Sequence, residues 1–162
     1  MHWAIRWQAG PALERRLETQ VAELAESHPR GFVVRLHVLG DFYSPEYVAL
    51  WRSLLVAVPA LHIWVFTACW NVDDVRLNGM GQTAGPIAAA LAALIADYQP
   101  ARLMALLSDG PRPRSAIVVE TPEAAPAGSV VCPYDIGTRP SCCDCGICLA
   151  KIKKLILALI QH

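Results

Sequence analysis

Charge is what this sequence has least of. Only 17% of its 162 residues are Asp, Glu, Lys or Arg, and 14 basic side chains face 14 acidic ones, for a formal net charge of +0. An average globular chain carries about 25% charged residues. Without a basic excess there is no electrostatic footprint for a polyanion, so nothing in the composition asks for nucleic acid. Long apolar runs are missing too. LILALIQH follows KIKK near the end and falls far short of a membrane span. The opening MHWAIRWQAGPALERR lacks the apolar core and small-residue cleavage site of a signal peptide. These absences predict a cytoplasmic chain with no membrane partner, a setting in which stable disulfides are rare. What is plentiful is apolar, 54% of the residues. That surplus suggests a sheet covered on both faces or the interface of a homodimer.

The length suits one domain, 1–162, able to bury about two-thirds of its unfolded surface without a staple. From Pro11 to His28, Leu13, Leu17, Val21 and Leu24 recur at helical spacing, with proline at the first turn and Gly31 beyond the end. FVVRLHVLGD reads as a strand closed by Gly40. Ser44-Pro45-Glu46 is a capped helix start, and Tyr47, Leu50, Trp51, Leu54 and Leu55 face inward after it. LHIWVFTA is a second strand. A loop with Asn78, Gly79, Gly81 and Gly85 leads into the helix PIAAALAALIADY, which Pro100 ends. RLMALLS, SAIVVE and the short SVV are three further strands, and Leu149–Ile160 has helical spacing at Ile152, Leu155, Ile156 and Leu159. Strands alternating with helices favour parallel pairing. The expected fold is α/β, an open, mostly parallel five-stranded sheet with helices on one face, a cysteine-rich segment at 129–150 and a terminal helix.

Five of the six cysteines fall in CPYDIGTRPSCCDCGIC, residues 132–148. Cys132, Cys142, Cys145 and Cys148 give the spacing C-x9-C-x2-C-x2-C, and Gly146 lets the chain turn tightly among them. Four thiolates satisfy tetrahedral zinc or the corners of a [4Fe–4S] cluster. The C-x2-C-x2-C run with a distant fourth cysteine before proline, here Cys132-Pro133, is the ferredoxin habit in reversed order. Zinc ribbons more often use two separated C-x2-C knuckles. The spacing therefore favours the cluster, with Zn2+ as the alternative. Cys143 is a spare thiol or an alternative ligand. A set of inert buried thiols is the plainer reading, and five cysteines in so short a stretch weigh against it.

A second group of candidates lies at the strand ends. Alternation puts Phe32, Val34, Leu36 and Val38 on one face of their strand and Arg35 and His37 on the other, ahead of Gly40-Asp41. Ligand sites in parallel sheets lie at the carboxyl ends of strands. Thr67, Ser108-Asp109 and Glu120 hold similar positions, and Trp64 and Phe66 share a face with His62. Arg35, His37 and Asp41 are thus the catalytic candidates if the chain is an enzyme. The plainer reading leaves Arg35 and His37 solvated and Asp41 capping a turn. Trp3, Trp7 and Trp70 read as packing, and Cys69 as a buried thiol.

RLHVLGDFYSPEYVALW, followed by LMALLSDG and the cysteine cluster, resembles the gene product 88-like family of phage and plasmid proteins over about residues 32–150. The resemblance implies a radical-SAM-like partial α/β barrel and a cysteine-bound metal. It marks Arg35, His37, Gly40, Asp41, Tyr47 and Trp51 as motif positions, and Cys132, Cys142, Cys145 and Cys148 as metal ligands. Two departures stand out. The family's upstream cysteine segment has no counterpart before Cys69, and Phe66-Thr67-Ala68 stands where the family has Tyr-Thr-Arg. The chain is accordingly expected to be a shortened member without radical-SAM chemistry. Three readings follow: a four-cysteine [4Fe–4S] protein for electron transfer, redox sensing or partner binding; a structural zinc module; and an enzyme using Arg35, His37 and Asp41. The partner implied by the first two is an unidentified protein or redox partner.

Overall fold

The computed structural model describes residues 9–37, 41–74, 83–99, 101–108, 114–149 and 155–160, without the side chains of Cys143 and Leu149. Trp3, Trp7, Val38, Gly40, Asn78, Gly79, Gly81, Asp109 and Ile152 lie outside the described residues.

Among the described residues, three helices of more than one turn and six strands follow in the order α1 (Pro11–Ser27), β1 (Phe32–Leu36), α2 (Pro45–Ala57), β2 (Leu61–Thr67), α3 (Ala84–Tyr98), β3 (Leu103–Ser108), β4 (Arg114–Val119), β5 (Val130–Val131) and β6 (Leu155–Ile160). Local chemistry sets the helix starts. Pro11 occupies the first turn of α1. The Ser44 hydroxyl caps α2 by accepting the Tyr47 N–H at 3.1 Å, satisfying one of the orphan donors of the first turn. Every strand pair is parallel, and the sheet order is β1-β2-β3-β4-β6-β5.

The sheet has six strands where the sequence pattern predicts five, and the predicted terminal helix is strand β6. The reason is burial. Residues Leu155 to Ala158 are all buried, two on each face, and β6 lies inside the sheet between β4 and β5. A strand covered on both sides reads as a continuous apolar run, and over six residues that pattern cannot be told from a buried helix.

Among the described residues, β3 and β4 pair through Leu107↔Ser115 and Ser108↔Ala116. β4 thus begins beside the end of β3 and runs on past it. Parallel neighbours ordinarily need a crossover of about a dozen residues or more.

The two faces of the sheet are covered differently. On one, Leu36, Leu61, Ile63, Val65, Leu103 and Ala105 pack with Val21, Trp51, Leu55, Ile87, Leu91 and Leu94 of the helices. On the other, Trp64, Met104, Leu106, Ala116, Leu155 and Leu157 pack against Cys132 and Cys148. The cysteine segment therefore occupies the face that α1–α3 leave uncovered. At about 1.5–3 kcal/mol for each fully buried aliphatic side chain, burial on both faces is a major stabilising contribution.

Candidate functional site

The cysteine segment is laced to β6. Cys132 N–H donates to the Ala158 carbonyl at 2.8 Å, and Ile160 N–H to the Asp135 carboxylate at 3.0 Å. After a loop, Ser141 caps a single helical turn, Cys142–Cys145, by accepting the Asp144 N–H at 3.1 Å. Gly146 closes that turn with a left-handed φ of 62°, its N–H donating to the Cys142 carbonyl at 2.9 Å. Only glycine takes that conformation without steric cost. The reversal turns Ile147 and Cys148 back toward the sheet.

The result is convergence. Cys132, Cys142, Cys145 and Cys148 line one cavity together with Trp64, Tyr134, Gly146 and Ile147. Cys132 and Cys148, 8% and 9% exposed, form its inner wall on the sheet, and the less buried Cys142 and Cys145 form the outer one. All four are free thiols. The enclosed volume is ≈ 20 Å³, about that of one water. Among the described residues, no three His, Cys, Asp or Glu side chains stand close enough to share a single metal ion.

Electrostatics within the cavity follow from burial. Desolvation pushes the Cys148 thiol up to about 12, the three neighbouring cysteines add to that rise, and the Arg114 guanidinium opposes it. Burial also raises Cys132, against the pull of the backbone N–H groups of Asp135 and Tyr134. As bare thiols these groups keep their protons. A metal would have to displace those protons to bind.

Arg35 sits at the open end of the same sheet face. Its guanidinium lies 4.9 Å from the centre of the Trp64 ring and 5.7 Å from that of Phe66, and the two rings meet edge-on at 5.6 Å. Trp64 thus separates an exposed arginine from the cysteine cavity.

His37 does not join Arg35 there. Strand β1 ends at Leu36, and His37 takes a positive φ of 54°. The strand's alternation lapses at that residue. The imidazole instead packs edge-on against Phe42 at 4.7 Å and near Tyr47 at 5.7 Å, on the helix side. Both ring nitrogens are buried with no hydrogen-bond partner among the described residues. Desolvation lowers its pKa, with the Asp41 charge working the other way.

Asp41 is fully engaged in holding the backbone. Its carboxylate accepts the N–H of Phe42 at 2.8 Å, the Thr67 hydroxyl at 2.7 Å and the Ala68 N–H at 2.6 Å. Tyr43 stacks on Tyr47 at 4.3 Å, and Tyr47 meets Trp51 edge-on. The described motif positions from His37 to Trp51 therefore build the loop and the first turns of α2. The structure does not bring Arg35, His37 and Asp41 together. The other strand ends are likewise occupied or exposed: Thr67 is buried against Asp41, the Ser108 carbonyl accepts the Trp70 indole N–H at 3.0 Å, and Glu120 faces solvent.

Two residues beside the cysteines are not tied to them by sequence. Trp64, whose alternation sets it on a face with His62 and Phe66, lines the cysteine cavity. Arg114, the first residue of β4, is 5% exposed, and its guanidinium donates to the Cys148 carbonyl at 3.0 Å.

No described helix is long and apolar enough to cross a membrane. No curated protein and no solved structure matches the chain. The family model for gene product 88 matches residues 5–144, a span that takes in the Arg35–Trp51 motif, Cys132 and Cys142 and ends before Cys145 and Cys148. With most of its length matched, the chain belongs to the gene product 88 family.

Proposed function

We propose that this chain is a metal-binding protein in which Cys132, Cys142, Cys145 and Cys148 hold a [4Fe–4S] cluster, for electron transfer, redox sensing or partner binding. The observation that carries the reading is the convergence of four thiols from one short loop on a single cavity against an apolar sheet face. Thiolates are the ligands of such clusters, and here they would approach from both sides, two from the buried wall and two from the outer turn. Four thiols around one cavity match in number the four corners of a cluster, as they match the four ligands of a tetrahedral ion.

A bound cluster supplies one-electron chemistry whose potential depends on net charge, hydrogen bonding and exposure. With every corner ligated by the chain, no iron is left open to a substrate. Trp64 and Ile147 shield the inner side from water. Tyr134 and Ile136 stand exposed on the same loop, at 51% and 43%, and offer an apolar rim to a protein partner or a second copy of the chain.

One observation favours zinc. The enclosed space is that of a single small species, so a structural Zn2+ that clasps the loop to β6 is the second reading. The enzyme reading has the least support, because Asp41 is committed to three donors and His37 faces the helices.

Metal analysis with an absorption spectrum, on protein purified without oxygen, separates these readings. About four iron and four sulfide per chain with broad visible absorption is the expected result. One zinc and no colour selects the clasp, and protein containing neither metal overturns both. The Cys145→Ser variant should lose the metal and melt at a lower temperature; an unchanged melting curve would argue against a structural metal.

A further inference from the structure

A second cavity lies across the sheet from the cysteines. Its volume is ≈ 270 Å³, against ≈ 20 Å³ for the space among the thiols. Cys69 and Trp70, just past the end of β2, and Leu107, near the end of β3, line it together with Ala88, Ala92 and Ala96 of α3. It thus sits at the carboxyl edge of the sheet, where ligands of open α/β sheets are held. The three alanines are four residues apart and share one side of the helix. Their methyl groups leave the space that longer side chains would fill. The polar atoms of the lining side chains are already engaged. The Trp70 indole N–H donates to the Ser108 carbonyl at 3.0 Å, which holds the ring in place, and the Cys69 thiol meets the Phe42 carbonyl at 3.7 Å. No carboxylate, amine or guanidinium is among the described lining residues. An occupant would gain little here from charge or hydrogen bonding.

We propose that this cavity is a binding site for a small, uncharged aromatic molecule. Size sets the bounds. A cavity of about 150 Å³ admits benzene, and drug-sized ligands occupy roughly 300–1,000 Å³. The volume here suits a single ring or a fused pair. Trp70 gives an aromatic guest a ring to stack on or meet edge-on. The alanine methyls of α3 form a shallow wall along which a flat molecule fits. Removing the guest's apolar surface from water supplies the driving force. The site is independent of the metal reading: Leu106 packs on the cysteine side of the sheet, and its neighbour Leu107 lines this cavity on the other.

The test uses the full chain with indole as the probe and cyclohexanol as the non-aromatic comparator, each titrated by saturation-transfer NMR. Wild-type protein should bind indole with a Kd of about 1 mM or tighter, and cyclohexanol several-fold more weakly. Ala92→Phe fills the cavity from α3 and should weaken indole binding by about tenfold or more, and Ala96→Leu should act in the same direction. Ala93→Phe adds the same ring at an exposed position outside the lining and should leave the affinity unchanged. In the wild type, indole should also slow maleimide modification of Cys69, located by peptide mapping, without slowing that of Cys142 on the other face. Absence of indole binding overturns the proposal, as does equal affinity for cyclohexanol. So does an affinity that the two filling variants leave intact, or that Ala93→Phe weakens as much as they do. If neither filling variant folds, the Cys69 measurement decides, and a thiol left unprotected at saturating indole overturns the site.

Discussion

The Asp41 carboxylate accepts the Thr67 hydroxyl at 2.7 Å and so ties the loop after β1 to the last residue of β2. The Ala68 N–H reaches the other carboxylate oxygen, and the Cys69 N–H donates to the Thr67 hydroxyl at 3.0 Å. Two loops at the carboxyl edge of the sheet are thereby held as one unit. An ionised acceptor serving several donors contributes more than a neutral one would.

Asp41→Ala should therefore lower stability by about 2 kcal/mol or more, because it leaves the Thr67 hydroxyl and two backbone N–H groups without their acceptor. Asp41→Asn, which keeps a carbonyl oxygen, should cost less. Urea unfolding followed by circular dichroism measures both. An Asp41→Ala protein of wild-type stability would show that the carboxylate is not a structural tie and would return it to the candidate catalytic groups.

His37 predicts an acid sensitivity. Its pKa is lowered in the folded chain, chiefly by burial. The unfolded chain, with an ordinary histidine near 6.5, takes up a proton that the folded form resists. This contribution is fully present above about pH 6.5 and is lost as pH falls toward the depressed folded value. Asn is enriched at positive φ, so His37→Asn tolerates the backbone at this position and removes the titration. Thermal melts at pH 7 and pH 5 should show a larger drop for the wild type than for His37→Asn; equal drops would remove His37 from the account.

Cys69 predicts the opposite limb. Burial, together with the Asp41 carboxylate, pushes its thiol up to about 12. An unfolded cysteine ionises near 8.5, so between there and about 12 the folded chain keeps a proton that the unfolded one releases, and stability falls as pH rises. Cys69→Ser retains a donor for the Phe42 carbonyl, which the thiol now meets at 3.7 Å, and does not titrate in this range. The stability difference between the two proteins should change between pH 8 and pH 10, with the wild type losing more. Maleimide should also modify Cys69 in the native protein more slowly than it modifies free cysteine at pH 8.

Gly85 predicts a steric cost. A Cβ at this position would run into the Val72 carbonyl oxygen, while the Gly85 N–H donates to the Asp74 carbonyl at 2.8 Å. Both partners are backbone and cannot swing aside. Gly85→Ala should destabilise by about 1–3 kcal/mol through the start of α3. A variant as stable as the wild type would mean that the 71–74 turn shifts freely, which amide exchange at Asp74 would reveal.

Much of the fold is legible in the sequence because it is written locally. The Ser44-Pro45 start fixes α2, the apolar spacing fixes α1, and the alternation in LHIWVFT assigns Ile63 and Val65 to one sheet face and Trp64 and Phe66 to the other. The cysteine spacing and Gly146 likewise contain the turn that gathers the thiols. What the sequence could not decide depends on neighbours distant in the chain. LILALI is a strand because β4 and β5 flank it. His37 faces the helices because one residue takes a left-handed φ, which breaks the alternation that pairs it with Arg35. Arg114 reaches the cysteines because the stagger of β4 past β3 brings its guanidinium beside Cys148, 34 positions along the chain. Local patterns record what each segment can form. Where a side chain finishes depends on which segments pack together, and packing is settled only when the whole sheet closes over its two faces.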